Sequence, residues 1–214
     1  MRYRLKRLTC LCCLLIVSSC ANASVRAKSE TFHTSDGVSL HYFDAGSGTA
    51  IVLVPGWTMA ADIFEPQINE LSKRFHIIAL DPRSQGDSEK TPEGNTLERH
   101  AQDIKELLEH LKLQNVVLLG WFNGVPDVLT FVEQNGAANL RGIVLVDGFL
   151  NVSDPQMQKA MNNMLRRFQA DRPKFTDGFV RGMYASKQTE EYIRHIDQES
   201  FETRPTRLWL RCST

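Results

Sequence analysis

The order of apolar and polar positions predicts strands and helices in regular succession from Ser29 onwards. Residues 30–34 and 38–43 flank the turn-forming tripeptide Ser35-Asp36-Gly37, which predicts an opening β-hairpin. Four apolar runs further along the chain are too short for helices and predict strands that are buried on both faces of a parallel sheet. These runs are residues 50–54, 76–80, 115–120 and 142–147.

Apolar residues at helical spacing fill the intervals between these strands. Residues 97–111 carry the clearest stripe, and Asn95, with Glu98 three residues later, predicts the N-terminal cap of this helix. Shorter helices are predicted near residues 64–71 and over residues 125–134. Strands that alternate with helices predict βαβ units and a mostly parallel sheet with helices on both faces. Ligands of such sheets bind at the carboxyl ends of the strands.

The pattern changes after the last of these strands. Residues 151–204 are polar and contain helical segments around residues 156–168 and 190–201, but no strand-like run. We interpret this region as a helical cap on a core of residues 29–150, rather than as a second domain. Residues 205–214 begin a further core strand and leave it incomplete.

The first 23 residues have the pattern of a secretory signal peptide. A basic head precedes the apolar run 8–17, which is about half of the ~20 residues that a membrane-spanning helix needs. Two cleavage sites compete. Val17-Ser18-Ser19-Cys20 resembles a bacterial lipobox and predicts a mature N-terminus at a lipidated Cys20, whereas Ala21-Asn22-Ala23 offers an ordinary signal-peptidase site. We favour the lipobox, and both sites predict export, to the periplasm or to a lipid anchor on the bacterial envelope.

The composition of the chain argues against several classes of function. Lysine plus arginine equals aspartate plus glutamate at 25 each, so no net positive field favours nucleic acid. Four of the five cysteines lie in the predicted signal peptide, which leaves Cys212 alone in the body and predicts no disulfide and no cysteine metal cluster. Neither a metal nor an organic cofactor is predicted, because no ligands occur at metal-binding spacing.

Residues 120–124 read Gly-Trp-Phe-Asn-Gly and lie between a predicted strand and a predicted helix. This arrangement resembles the nucleophile elbow of the α/β-hydrolase superfamily. Two further loops match that superfamily in order, Pro55-Gly56-Trp57 at the oxyanion-hole position and residues 81–88, which read Asp-Pro-Arg-Ser-Gln-Gly-Asp-Ser. The chain resembles the family from about residue 30 to about residue 210, and is most similar to its esterase, lipase and haloperoxidase-like branch.

The resemblance assigns a role to each elbow residue. Gly120 and Gly124 would let strand and helix approach closely, and the backbone N–H groups of Trp57 and Asn123 would hold an oxyanion. The nucleophile position is Phe122, which has no hydroxyl, thiol or carboxylate, so covalent catalysis of the family type is excluded at this position. A large aromatic side chain is also disfavoured where a turn demands unusual backbone angles.

The resemblance further implies an acid after the seventh strand and a histidine after the eighth. We therefore expect an α/β-hydrolase fold that is truncated in the seventh strand and lacks an intact triad. None of the six histidines occupies the family's catalytic position, and His100 is expected on the surface of its helix. Asp81 and Arg83 are interpreted as braces of their loop rather than as substrate contacts.

Three functions remain compatible with these residues. The first is a serine ester hydrolase by resemblance, whose catalysis is impaired because Phe122 replaces the nucleophile. The second is a non-catalytic homologue that binds a partner or a small, ester-like ligand. The third is a truncated product without a stable function. Oligomeric state and the identity of the ligand are not encoded in any pattern that we recognise.

Overall fold

A computed structural model of the protein describes residues 26–148, 150 and 155–202. The predicted signal peptide with Cys20, and the predicted incomplete strand of residues 205–214, lie outside the described residues. The division of the chain into a core of residues 29–150 and a helical cap of residues 151–204 stays a prediction.

A six-stranded sheet organises the core, in the strand order β1-β2-β4-β3-β5-β6. Strands β1 and β2 form the antiparallel hairpin expected from the sequence, and β2 also runs antiparallel to β4. The remaining neighbours are parallel. The strands are β1 (Lys28–His33), β2 (Ser39–Gly46), β3 (Ala50–Val54), β4 (His76–Leu80), β5 (Val116–Trp121) and β6 (Leu140–Val146).

Helices cover both faces of this sheet, as the apolar pattern predicts. Along β3 and β4, alternate side chains enter two separate cores. Val52 and Ile78 pack with helices α2 and α3 on one face, whereas Leu53 and Ile77 pack with α1 on the other. The helices are a short 3₁₀ helix (Ala61–Phe64), α1 (Glu65–Leu71), α2 (Leu97–His110), α3 (Gly124–Asn135), α4 (Pro155–Ala170), α5 (Arg172–Gly182) and α6 (Glu190–Glu202).

The predicted N-cap of α2 is wrong by one residue. Thr96, not Asn95, caps the helix, and its hydroxyl accepts a hydrogen bond from the N–H of Arg99 at 3.2 Å. Asn95 is buried in the preceding loop, where its amide donates to the carbonyl of Thr91 at 2.9 Å. The side chain that the sequence offered as a cap is thus held by the loop instead.

Helices α4 and α6 form where the sequence predicts helices, but α5 was not anticipated. Asp171 caps α5 by accepting from the N–H of Lys174, and Pro173 suits its first turn. Trp57 packs against α4 and α5, and Met59 packs against α5 and α6. The loop after β3 therefore supports these helices. No helix among residues 26–148 and 155–202 combines the length and apolar character that crossing a membrane requires.

Within the described part of the chain, β6 has one strand neighbour, β5. Ile143, Val144 and Val146 are each at least 40% exposed, unlike the side chains of β3 and β4. Residues 143–146 are as apolar as the buried strands, and β6 is more exposed than β3 and β4.

Candidate functional site

Phe122, the predicted nucleophile position, lies on a sharp turn between β5 and α3. Phe122 has a φ of 52°, which is uncommon for a residue with a side chain. Its N–H donates to the carbonyl of Val146 at 3.0 Å, and its own carbonyl accepts from the N–H of Val125 at 3.2 Å. The turn is thus fixed by backbone hydrogen bonds that do not depend on the side chain at position 122.

The two elbow glycines lie where strand and helix almost touch. A Cβ on Gly120 would lie 2.3 Å from the carbonyl oxygen of Gly124, and a Cβ on Gly124 would lie 2.2 Å from that of Val54. Both distances are far below van der Waals contact, so neither position admits a side chain.

The Phe122 side chain is half-buried. A Cβ built on Gly56 would lie 3.0 Å from the Phe122 Cβ and Cδ1 atoms, so the side chain fills the space beside the oxyanion loop. The ring centroid lies 6.2 Å from that of Phe179 on α5.

A chain of aromatic contacts continues from Phe179. Phe179 stacks on Phe175 at 5.7 Å, Phe175 meets Phe168 edge-on at 5.5 Å, and Phe168 lies 5.1 Å from Trp57. These separations are those of favourable aromatic pairs. The rings connect the elbow through α5 and α4 back to the loop after β3, and we call them the aromatic chain.

The two residues expected to hold an oxyanion, Trp57 and Asn123, line one small cavity of about 10 Å³. Gln85, His100 and Asp127 also line this cavity. The fold therefore brings the two residues together, although their role as donors remains a prediction.

His100 is buried, which corrects the expectation of a surface position. Its Nδ1 lies 3.2 Å from Oδ1 and 3.3 Å from Oδ2 of Asp127 on α3. Burial by itself lowers the pKa of His100, but the Asp127 carboxylate more than offsets this effect and raises the pKa above its ordinary value. The signal was present in the sequence, since position 100 is three residues after Leu97 and four before Ile104 on the apolar stripe.

Asp81 is a brace for its loop, as the sequence suggests. One carboxylate oxygen accepts from the N–H of Ala61 at 2.5 Å. The other lies 2.7 Å from Nδ1 of His41 and accepts from the N–H of Asp87 at 2.9 Å. His41, Asp81 and Asp87 are close enough to share a metal ion, but these hydrogen bonds already use both Asp81 oxygens.

Arg83 is a second buried brace. Its guanidinium donates to both oxygens of Asp103 at 2.9 and 2.8 Å, and to Asp36 at 3.0 and 3.1 Å. It therefore joins α2 to the turn of the opening hairpin.

A larger cavity, of about 390 Å³, opens on the α1 face of the sheet. Trp121 and Val146, the last residues of β5 and β6, line it, as expected for a ligand site at the carboxyl ends of parallel strands. Tyr184 and Tyr192 also line it, and the Tyr184 hydroxyl donates to that of Tyr192 at 3.3 Å. Burial, together with Tyr192, raises the pKa of Tyr184, so its hydroxyl is neutral at pH 7.

The other histidines of the described chain are engaged away from the elbow or exposed. His41 bonds to Asp81, His76 to Asp44 and His195 to Asp62. His110 stacks on Phe32, and His33 is exposed on β1.

Comparison with known proteins gives consistent matches. A family model described as the α/β hydrolase fold matches residues 49–199. The AB hydrolase superfamily protein YisY of Bacillus subtilis is 28% identical over 170 residues, covering 74% of this chain and 62% of that protein. A non-heme haloperoxidase of Rhodococcus erythropolis is 33% identical over 113 residues, covering 52% of this chain and 41% of that protein. The chain thus spans less than two thirds of the length of these relatives.

Solved structures have the same fold. An esterase from Exiguobacterium antarcticum superimposes with a TM-score of 0.76 at 24% identity, covering 82% of this chain and 69% of that one. A bromoperoxidase from Bacillus anthracis gives a TM-score of 0.76 at 22% identity, covering 87% and 73%. With a family model matched over most of its length, the chain belongs to the α/β-hydrolase family.

Proposed function

We propose that this protein is an α/β-hydrolase family member that binds a small, ester-like ligand without performing covalent serine-type catalysis. The observation that carries the proposal is Phe122 on the elbow turn, with its ring against Phe179. A phenyl ring cannot form an acyl-enzyme intermediate. The ring also occupies the space beside Gly56 into which the family's chemistry would project.

The ligand class follows from the larger cavity. Its volume of about 390 Å³ suits a molecule of modest size, since ligand pockets commonly enclose roughly 300–1,000 Å³. Leu53, Leu119 and Val146 supply apolar walls, and Tyr192, whose hydroxyl accepts from Tyr184, has its own proton to donate to a ligand. We expect a neutral, mainly apolar ligand with one oxygen that accepts a hydrogen bond. The related esterases support an ester group as that acceptor.

Turnover and folding should be measured on the same purified sample. We expect a cooperative thermal transition and no hydrolysis of 4-nitrophenyl acetate above the buffer rate. Hydrolysis above the buffer rate that disappears when the protein is denatured would overturn the proposed loss of catalysis. A sample without a cooperative transition would instead favour a product that has no stable function.

Binding should be measured by calorimetry with phenyl acetate. We expect saturable binding that Tyr192→Phe weakens about fivefold, the effect of losing one hydrogen bond of about 1 kcal/mol. Tyr42→Phe is the matched control, because Tyr42 is buried in β2 and does not line the cavity. Equal binding by the two variants would show that the ligand lies elsewhere.

We further propose that the protein is exported and anchored to the envelope through a lipid on Cys20. The lipobox-like residues 17–20 support this proposal. Labelled palmitate should be incorporated into the wild-type protein but not into Cys20→Ser. The variant should also be absent from the membrane fraction. Equal fractionation of the two proteins would favour the ordinary cleavage site after Ala23.

A further inference from the structure

We propose that one ordered water molecule occupies the small cavity beside the elbow and bridges His100, Gln85 and Asn123. This inference does not depend on the proposed function, since it concerns the small cavity next to the predicted oxyanion loop rather than the larger cavity. Its consequence is a hydrogen-bonded link between α2 and the residue that follows Phe122.

Three residues that line this cavity each carry a buried polar atom without a protein partner among the residues described. These atoms are Nε2 of His100, Oε1 of Gln85 and Oδ1 of Asn123. The three residues are 7%, 2% and 7% exposed, respectively, so bulk solvent does not satisfy these atoms. An orphaned buried polar group costs about 1–3 kcal/mol, and three at one place call for a shared partner.

The cavity has the size of one water molecule. Its volume is about 10 Å³, close to the roughly 10–15 Å³ that a single water requires by this measure. A carboxylate, a phosphate or an ester does not fit. A buried water also needs two to four polar partners, and three are present.

Hydrogen-bond polarity agrees with water. Asp127 accepts the proton on Nδ1 of His100, and its carboxylate raises the pKa of the ring, which favours a second proton on Nε2 that can be donated. Water can accept from Nε2–H and donate to the oxygens of Gln85 and Asn123. The charged groups that act on His100 are Asp127 on α3, Asp103 on α2 and Arg83 after β4, and the two carboxylates favour the protonated ring.

A crystal structure at about 1.5 Å, grown with sodium bromide, tests the site directly. We expect one density peak within hydrogen-bond distance of all three atoms and no anomalous signal there. An empty cavity would overturn the proposal. An anomalous bromide peak would also overturn it, because it would mean that the two amides present N–H groups to an anion.

A double-mutant cycle tests the link in solution. Gln85→Met and Asn123→Leu keep the approximate side-chain volume and each remove one acceptor. No hydrogen bond joins these two side chains directly in the described structure, so a shared water is the expected source of coupling. We expect the double variant to lower the thermal midpoint by clearly less than the sum of the single variants.

Gln85→Met combined with Asn139→Leu is the matched control. Asn139 donates to the carbonyl of Leu113 beside the start of β6, whereas Asn123 follows the end of the parallel strand β5, so the two residues lie at opposite ends of the strands. The effects of this pair should add. Additive effects in the Gln85 and Asn123 pair as well would overturn the bridging water.

Discussion

At the residue scale, Phe122 shows how the backbone holds the predicted elbow turn around a bulky side chain. A residue with a side chain and φ near 52° costs of order 1–3 kcal/mol, and it persists only where surrounding structure fixes it. Here the backbone hydrogen bonds to Val146 and Val125 fix the turn, and contacts with Gly56 and Phe179 hold the ring. The aromatic side chain therefore packs with helix α5.

We expect Phe122→Ser to gain no esterase activity. A serine at this position needs a base within hydrogen-bond reach. Five of the described histidines are bonded to other groups, stacked or exposed. His100 pairs with Asp127 and lines the small cavity, which Phe122 does not line. Hydrolysis of 4-nitrophenyl acetate should equal that of Phe122→Ala, the control that removes the ring without adding a hydroxyl. Turnover by the serine variant well above the alanine variant would contradict this account.

At the element scale, α4 and α5 depend on the aromatic chain. Phe175 lies at its middle, is 8% exposed and contacts both Phe168 and Phe179. We expect Phe175→Ala to lower the free energy of unfolding by about 3 kcal/mol, because it leaves a cavity between the helices. Phe175→Leu retains most of the volume and should cost less than about 1.5 kcal/mol. Urea unfolding measures both, and similar losses in the two variants would argue against cavity formation.

The cap of α2 gives a second expectation at this scale. Thr96→Ala removes the side chain that accepts from the N–H of Arg99, and should cost about 1 kcal/mol in urea unfolding. Thr96→Ser retains the hydroxyl and should cost only a few tenths. If the serine variant loses as much as the alanine variant, the hydroxyl is not the stabilising group.

At the scale of the whole molecule, a charged network joins the hairpin turn to α2. Arg83 and Arg99 lie between the carboxylates of Asp36, Asp103 and Glu106. Although partial burial raises the pKa of Asp36, hydrogen bonds from Arg83 and Thr34 and the arginine charges lower it from 3.8 to about 2. Asp36 therefore stabilises the fold above pH 4, and this contribution is lost as the pH falls towards 2.

We expect Asp36→Asn to have a lower thermal midpoint than the wild type at pH 7. Near pH 2 the two proteins should have the same midpoint. The midpoint should be recorded from pH 2 to pH 7 for both proteins. Asp87→Asn is the control, because Asp87 is exposed and its side chain lies outside the network. If the thermal midpoints of the wild type and Asp36→Asn differ as much at pH 2 as at pH 7, ionisation of Asp36 is not the source of that difference.

The apolar runs predicted the bounds of the parallel strands almost residue by residue. Strands β3 and β4 are buried on both faces, so their positions accept few side chains that are not apolar. The wrong cap at Asn95 and the missed helix α5 have a common cause. Both depend on short polar side chains whose partners are chosen by the surrounding loop and not by the pattern itself. The two elbow glycines could also be predicted from the sequence, because only glycine fits where β5 and α3 meet.

By itself, the sequence determined the alternation of strands and helices, the elbow turn and the absence of a nucleophile at Phe122, because periodicity and residue chemistry are local properties. Tertiary structure alone decided that Phe122 packs on Phe179 and that His100 pairs with Asp127. It also placed Gln85, His100 and Asn123 around one water-sized cavity. These contacts join residues that are distant in the chain, and their partners depend on how the elements pack.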